Sequence, residues 1–347
     1  MLQGDHGMTT SKALAAQQVS VIGAGNMGSE IALKYASSGY EVRLIDRSLA
    51  SLERGKNAIE RSLNQGVTKG IFSHEESRDI EKRLSYSHDI KYAKSSSLIV
   101  EAIFENMEEK RSLFKALEES CHRDTIFASN TSSLLISDLQ EGLKKPQRLL
   151  GLHYFFPPAK NRLVELIAGN FSDESLLSQA RSMQEKIGKV VIRSKDSPGF
   201  IVNRFFVPWL NEGMRIVYEN QANMATVDHA CRSFFGISMG PFELMNATGP
   251  AITFHACSSL ANYLGDFYAP CPLIGGPLET QTNWVIEQDI DETKCAAIIE
   301  RIVAVVGSIC KRMVHEEDVA STEDTDLGAR VGLLWKKGPF ELMQSSK

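Results

Sequence analysis

Between residues 19 and 192, short runs of β-branched residues alternate with longer segments of helical period, and beyond residue 198 the alternation stops. Strands that are apolar along their whole length need cover on both faces, and strands separated by helix-length segments pair in parallel. The pattern therefore calls for a parallel sheet with helices on both sides. Seven strands are predicted, over 19–22, 41–45, 98–102, 125–129, 149–154, 163–167 and 190–192, each bounded by residues of turns and caps. Downstream of Asp196-Ser197-Pro198-Gly199 the chain reads as helices over 200–218, 224–235, 240–263 and 292–313. The expected organisation is an N-terminal extension (1–18), an α/β domain (19–198), an all-α C-terminal domain (199–290) and a partial second helical repeat (291–347).

The repeat shows when the helical part is compared with itself. Gly240-Pro241-Phe242-Glu243-Leu244-Met245 recurs as Gly338-Pro339-Phe340-Glu341-Leu342-Met343, and in both copies an Asp (Asp228, Asp326) lies twelve positions before the Gly. Pro in the first turn and Glu against the helix dipole suit any helix start. The match extends back to helices beginning near Arg204 and Arg301, which favours duplication of a whole helical unit. Only four residues follow the second motif, so the chain reads either as a piece of a longer protein or as one whose second copy docks on the first.

Thirty-eight basic residues against 43 acidic ones leave a formal charge of −5, so no nucleic acid partner is expected and any anionic ligand must be held locally. Six scattered cysteines without a CxxC pair suggest neither a metal site nor a disulfide framework, and a reducing, cytoplasmic location fits them. Neither a signal peptide nor a membrane span is read, and Met8 offers an alternative start.

The first strand runs into Gly23-Ala24-Gly25-Asn26-Met27-Gly28 and then a helix-forming segment. In that setting Gly23 permits the tight turn, Gly25 admits a pyrophosphate to the backbone, and Gly28 lets helix and strand pack closely, with the anion at the helix N-terminus. A second strand ends in Asp46, 23 positions after Gly23, placed to accept hydrogen bonds from a ribose diol. An Asp there repels a 2′-phosphate, so NAD is favoured over NADP, although Arg43 and Arg47 flank it. The fold class is thus an α/β Rossmann-type NAD-binding domain followed by an all-α domain.

Alcohol oxidation needs a base for the hydroxyl proton while hydride leaves carbon, and histidine is the side chain whose ordinary pKa lies nearest neutrality. His153, at the end of Gly151-Leu152-His153-Tyr154-Phe155, is the candidate base. Glu165 is a lone carboxylate in the apolar strand Leu163-Val164-Glu165-Leu166, costly to bury alone and suited to orient an imidazole. Ser132 and Asn203 are candidates to hydrogen-bond the substrate oxygen.

At these residues the chain resembles the L-3-hydroxyacyl-CoA dehydrogenases, through SNTSSL (129–134), GLHYF (151–155), LVELI (163–167), DSPGFIVNR (196–204) and MGPFEL (239–244). The resemblance runs from about Val19 to Met245. It implies oxidation of an acyl-CoA thioester by NAD in a β-oxidation type step, with Ser132, His153, Glu165 and Asn203 as the active site. It also implies that Glu105 and Lys110 lie beside the nicotinamide and its ribose, that Asn130 belongs to the cofactor-binding set, and that Ser62 and Lys69 touch the CoA moiety. Helical domains of the family pair across a two-fold axis, so a homodimer is implied, unless the second repeat occupies that surface. Larger members carry a hydratase-type domain, so fusion to or association with an enoyl-CoA hydratase is a further implication. One departure is Phe156, where the family usually has Asn. Two other functions stay open: a dehydrogenase of a free hydroxy acid or sugar acid, and a noncatalytic NAD-binding protein of the same fold.

Overall fold

The computed structural model describes residues 18–345; the expected N-terminal extension, apart from Gln18, lies outside the described residues. In chain order the elements are β1 (Gln18–Ile22), α1 (Asn26–Ser37), β2 (Glu41–Ile45), α2 (Leu49–Thr68), α3 (His74–Lys82), β3 (Leu84–Ser87), β4 (Leu98–Glu101), α4 (Met107–Ser120), β5 (Ile126–Ser129), α5 (Ile136–Gln140), β6 (Leu149–Tyr154), β7 (Leu163–Ala168), α6 (Glu174–Lys186) and β8 (Val190–Lys195). Helices follow: α7 (Val202–Tyr218), α8 (Met224–Phe235), α9 (Pro241–Thr248), α10 (Pro250–Leu264), α11 (Gly275–Thr280), α12 (Cys295–Lys311), α13 (Thr322–Gly332) and α14 (Pro339–Ser345). They form two compact units. The first holds the residues up to Asn130 with Leu139–Lys160 and Phe171–Gly188; the second holds Thr131–Asp138, Asn161–Asn170 and everything from Lys189.

In the first unit the strands are ordered β3-β2-β1-β4-β5-β6, and every neighbouring pair is parallel. Strand order reverses between β1 and β4, the point at which open α/β sheets receive ligands. Register aligns the carboxyl ends there: Ile22 lies opposite Ile45 on one side and Glu101 on the other, and Glu101 opposite Ser129. The central strands β4 (LIVE) and β5 (IFAS) are buried at every residue, which is why they read as continuous apolar runs. β3 was not among the predicted strands. Its sequence LSYS buries only Leu84 at the sheet edge, so neither an apolar run nor an alternation marks it.

A buried polar network ties the far side of β6 to two helices. Tyr154 and Tyr35 hydroxyls lie 3.1 Å apart, Tyr154 donates to Gln184 Oε1 at 2.8 Å, and Gln184 Nε2 donates to Tyr35 at 2.6 Å. Burial pushes the Tyr35 phenol well above its ordinary pKa, so the network is neutral throughout the accessible range.

In the second unit β7 and β8 pair in parallel over six residues, Leu163 opposite Val190 through Ala168 opposite Lys195. The single helix predicted over 240–263 is two helices, because Gly249 (φ +94°) and Pro250 end α9 and start α10. The two copies of the repeat adopt the same local structure. Asp228 accepts the amides of Phe242 (2.8 Å) and Glu243 (3.1 Å), while Glu243 accepts the amide of Gly240 (2.8 Å). In the second copy Asp326 accepts the amide of Phe340 (2.7 Å) and Glu341 that of Gly338 (2.8 Å). A Cβ on Gly240 or Gly338 would lie 2.4 or 2.3 Å from the Cα of its aspartate, so both positions need glycine. Helix α13, beyond the predicted elements, completes the second copy, and α12 packs on α7 and α8. Among the described residues no helix is long and apolar enough to cross a membrane.

Candidate active site

The glycine turn is shaped by contacts that exclude side chains. A Cβ on Gly23 (φ +107°) would lie 2.4 Å from Ala102 O, and one on Gly28 would lie 1.8 Å from Gly23 O, whereas the corresponding position at Gly25 is open. The backbone is thus bare at Gly25 and tight at Gly23 and Gly28, where helix meets strand. Asp46 is fixed beside it: Oδ2 accepts the Ala24 amide and Oδ1 the Ser48 amide, both at 2.9 Å. Its two arginine neighbours are engaged elsewhere. Arg43 donates to Tyr92 O and, at 3.0 Å, to Ser95; Arg47 pairs with Glu109 at 3.0 Å.

A cleft of about 610 Å³ opens between this turn and α2, lined by Gly25, Asn26, Ser51, Arg54, Arg61 and Asn64 among others. Ser62 and Lys69 are not in that lining. Ser62 donates to Glu30 at 3.2 Å, and Lys69 caps the exposed C-terminal end of α2.

At the switch point β4 ends in Glu101, fully buried. Its Oε1 accepts Lys110 Nζ (2.6 Å) and the Ile103 amide (2.8 Å), and its Oε2 accepts the Ser129 hydroxyl (2.6 Å). Lys110, 1% exposed, also pairs with Glu105 at 3.0 Å, and Glu105 alone of the three reaches solvent, at 34%. Burial raises the Glu101 carboxyl above its ordinary pKa, and the Lys110 charge opposes that rise.

Asn130 spans the next two strands: its amide donates to Glu101 O (2.8 Å) and its Oδ1 accepts the Tyr154 amide (2.9 Å). His153 follows in β6, 6% exposed, its ring 4.6 Å from that of Phe155. Because side chains alternate along a strand, anchoring Tyr154 on one face fixes which face His153 occupies. Phe156, in the position where Asn was expected, is 64% exposed.

In the second unit Glu165 is fully buried in β7, and its Oε1 accepts the amides of Ile201 (3.1 Å) and Val202 (2.8 Å). These are the first amides of α7, so the carboxylate sits on the positive end of that helix. Left-handed Gly199 (φ +76°) and Phe200 (φ +49°) turn the chain out of β8 so that those amides face β7. Asn203 is the next residue and so shares this helix start. Ser132 is exposed, in the turn where Thr131 Oγ1 accepts the Leu134 amide (2.9 Å). Asp196 holds the following segment, accepting the amides of Ile136 (2.9 Å) and Ser137 (2.6 Å).

The structure therefore gathers the glycine turn, Asp46, Glu105, Lys110, Asn130 and His153 in one unit, and Ser132, Glu165 and Asn203 in the other. Two supporting residues were absent from the sequence candidates. Glu101 carries the same signal as Glu165, a lone carboxylate in an apolar strand. Asp196 was visible only as part of a turn. Among the described residues no group of three or more His, Cys, Asp or Glu is arranged to hold a metal ion.

Comparison with known proteins agrees with this geometry. Residues 18–197 match the family model of the 3-hydroxyacyl-CoA dehydrogenase NAD binding domain, and residues 199–281 match that of the 3-hydroxyacyl-CoA dehydrogenase C-terminal domain. A probable 3-hydroxybutyryl-CoA dehydrogenase of Bacillus subtilis is 35% identical over 259 residues, 74% of this chain and 90% of the relative. The crystal structure of FadB2 from M. tuberculosis superposes with a TM-score of 0.76 at 30% identity, covering 78% of this chain and all but 1% of the other. A 3-hydroxybutyryl-CoA dehydrogenase from Escherichia coli K12 shares the fold over 95% of this chain and 91% of its own (TM-score 0.84, 24% identity). With matches to the NAD binding domain and the C-terminal domain in sequence, the chain belongs to the 3-hydroxyacyl-CoA dehydrogenase family and uses NAD.

Proposed function

We propose that, in oxidising an L-3-hydroxyacyl-CoA to the 3-oxoacyl-CoA, the chain uses His153 as general base and Glu165 to orient and charge-support it. The observation that carries this reading is the Glu165 carboxylate, buried in an apolar strand yet held by two amides of a helix start. A buried carboxyl held by the amide of Val202, the neighbour of Asn203, suits a site where positive charge develops on a nearby group. NAD supplies the hydride acceptor. His153 takes the hydroxyl proton as the carbonyl forms, while Ser132 and Asn203 hydrogen-bond the same oxygen and hold the 3-carbon in line.

The acyl group is short, as the 3-hydroxybutyryl-CoA names of the relatives suggest. Ser62 and Lys69 meet the CoA moiety, as the family resemblance implies. The division of labour follows the sequence reading: a cofactor domain (19–198), a helical domain (199–290) and a second repeat (291–347). A β-oxidation type step, a cytoplasmic location, homodimer formation and association with a hydratase activity belong to the same proposal. Six free cysteines support the reducing compartment.

The test follows nicotinamide absorbance with acetoacetyl-CoA and NADH, with NADPH and free acetoacetate as controls. Turnover with the thioester and NADH alone is expected. His153→Ala should lower kcat by about a thousandfold or more while NADH affinity stays within about twofold. Turnover near the parent rate in that variant removes His153 from the mechanism. Preference for the free acid would overturn the substrate class.

A further inference from the structure

We infer that Glu101 is a positioning residue that keeps a net negative ion cluster under the nicotinamide half of the dinucleotide, and so biases the bound cofactor toward its oxidised form. The inference rests on NAD binding, not on the identity of the substrate. Asp46, at the end of β2, marks the adenosine side of the switch point; the other nucleotide then lies over the ends of β4 to β6. Glu101 is the last residue of β4, opposite Ile22, and the next peptide is so close to the glycine turn that a Cβ on Gly23 would lie 2.4 Å from Ala102 O. The cluster is therefore beneath the cofactor rather than elsewhere on the sheet.

Its charge follows from its members. Glu101 and Glu105 share Lys110, at 2.6 and 3.0 Å, and two carboxylates with one ammonium leave one negative charge. Glu101 is also held by the Ile103 amide and the Ser129 hydroxyl, three-point support that fixes Lys110 and, through it, Glu105 at the solvent-facing edge. An isolated buried carboxylate would be neutralised; this one has an ammonium and two further donors that favour the anion. The oxidised nicotinamide ring carries a positive charge and the reduced ring none. A fixed negative charge below it stabilises only the former, and a weakly screened interior gives that difference range.

The experiment measures equilibrium affinities of NAD and of NADH for the full chain without substrate. Glu101→Gln keeps the side chain's size and removes the charge, and it should weaken NAD about tenfold more than NADH. That tenfold ratio corresponds to a shift of about 30 mV in the potential of the bound two-electron couple. Glu105→Gln removes the same charge and should move the ratio in the same direction, and it carries the test if the Glu101 variant does not fold. Ser129→Ala, which removes a hydrogen bond but no charge, should leave the ratio within about twofold. Parallel losses for both cofactor forms, or an unchanged ratio in both charge variants, would show that the cluster is neutral or purely structural and overturn the inference. Absence of thioester turnover in the parent chain with the ratio shift intact would instead count against the proposed function.

Discussion

The two helical repeats, α7 to α9 and α12 to α14, keep the same cap and use it for different ends. Each closes on an aspartate that accepts amides of the third helix, twelve positions before a glycine with no room for a Cβ. Yet the first helix of each copy, α7 and α12, is entered differently. In the first copy that helix starts from a left-handed Gly199-Phe200 turn whose following amides grip Glu165. In the second it follows a short 3₁₀ turn, Glu292–Lys294, and Arg301 reaches back to Glu212 (2.6 Å) and Glu219 (2.6 and 3.1 Å) around α7. The cap belongs to the helix pair and survives duplication. In the proposed mechanism the chemistry belongs to β7 and the Gly199-Phe200 turn, whereas the second copy opens on a 3₁₀ turn.

The largest expected effect tests that division directly. Asn203→Ala should lower kcat/KM for acetoacetyl-CoA by about a hundredfold, the usual cost of losing one preorganised donor at a reacting oxygen. Arg301→Met, on the first helix of the second copy, should leave kcat/KM within about twofold. Comparable losses in steady-state kinetics would mean that the second repeat contributes to turnover and would break the contrast.

The shared cap sharpens the comparison through pH. Burial pushes the Asp228 carboxyl up to about 7, against the lowering effect of its two amide bonds, whereas the unfolded chain releases that proton near 3.8. The folded state therefore binds the proton more tightly. This contribution to stability is full below about pH 4 and is lost as pH rises to about 7. Asp228→Asn should remove the dependence, so that the parent chain loses about 2 kcal/mol relative to the variant between pH 5 and 7. Asp326 is raised by the same cause but less enclosed, so Asp326→Asn should remove a smaller part. Thermal unfolding at the two pH values measures both. A flat difference for Asp228→Asn would place its folded pKa near the unfolded one.

How much of this was legible beforehand depended on how far local residues dictate each feature. The glycine turn, Asp46 and the buried central strands are written locally, because a tight turn, a ribose contact and two-sided burial each demand particular residue types. β3 was missed because an edge strand needs no apolar run. The break at Gly249-Pro250 was readable but hidden by helical period on both sides. Glu101 shows the limit most clearly: its lone-carboxylate signal equals that of Glu165, but its partners Lys110 and Ser129 lie 9 and 28 positions away, and only the sheet register brings the latter alongside. Placement of Ser132, Glu165 and Asn203 in one unit depends on Asp196 and the Gly199-Phe200 turn, whose DSPGFIVNR block was visible but whose partners in 136–137 and β7 lie far along the chain.

The smallest expected effect asks what holds the second repeat down. Arg301 is 28% exposed and pairs with Glu212, 5% exposed, and with Glu219, 44% exposed. Ion pairs at such half-open sites contribute little, but removing the arginine also leaves the buried Glu212 with Arg215, at 3.2 Å, as its remaining cationic partner. Arg301→Met keeps the aliphatic stem and should therefore cost about 1 kcal/mol in denaturant unfolding, with a smaller difference from the parent at high salt. If the cost is that size, the arginine is a modest latch, and most of the docking comes from the buried side chains Ile298, Ile302, Val306 and Ile309 along α12. A cost several times larger would instead make the ion pairs the principal tie, and the second copy would then be held by Arg301 rather than by its apolar face.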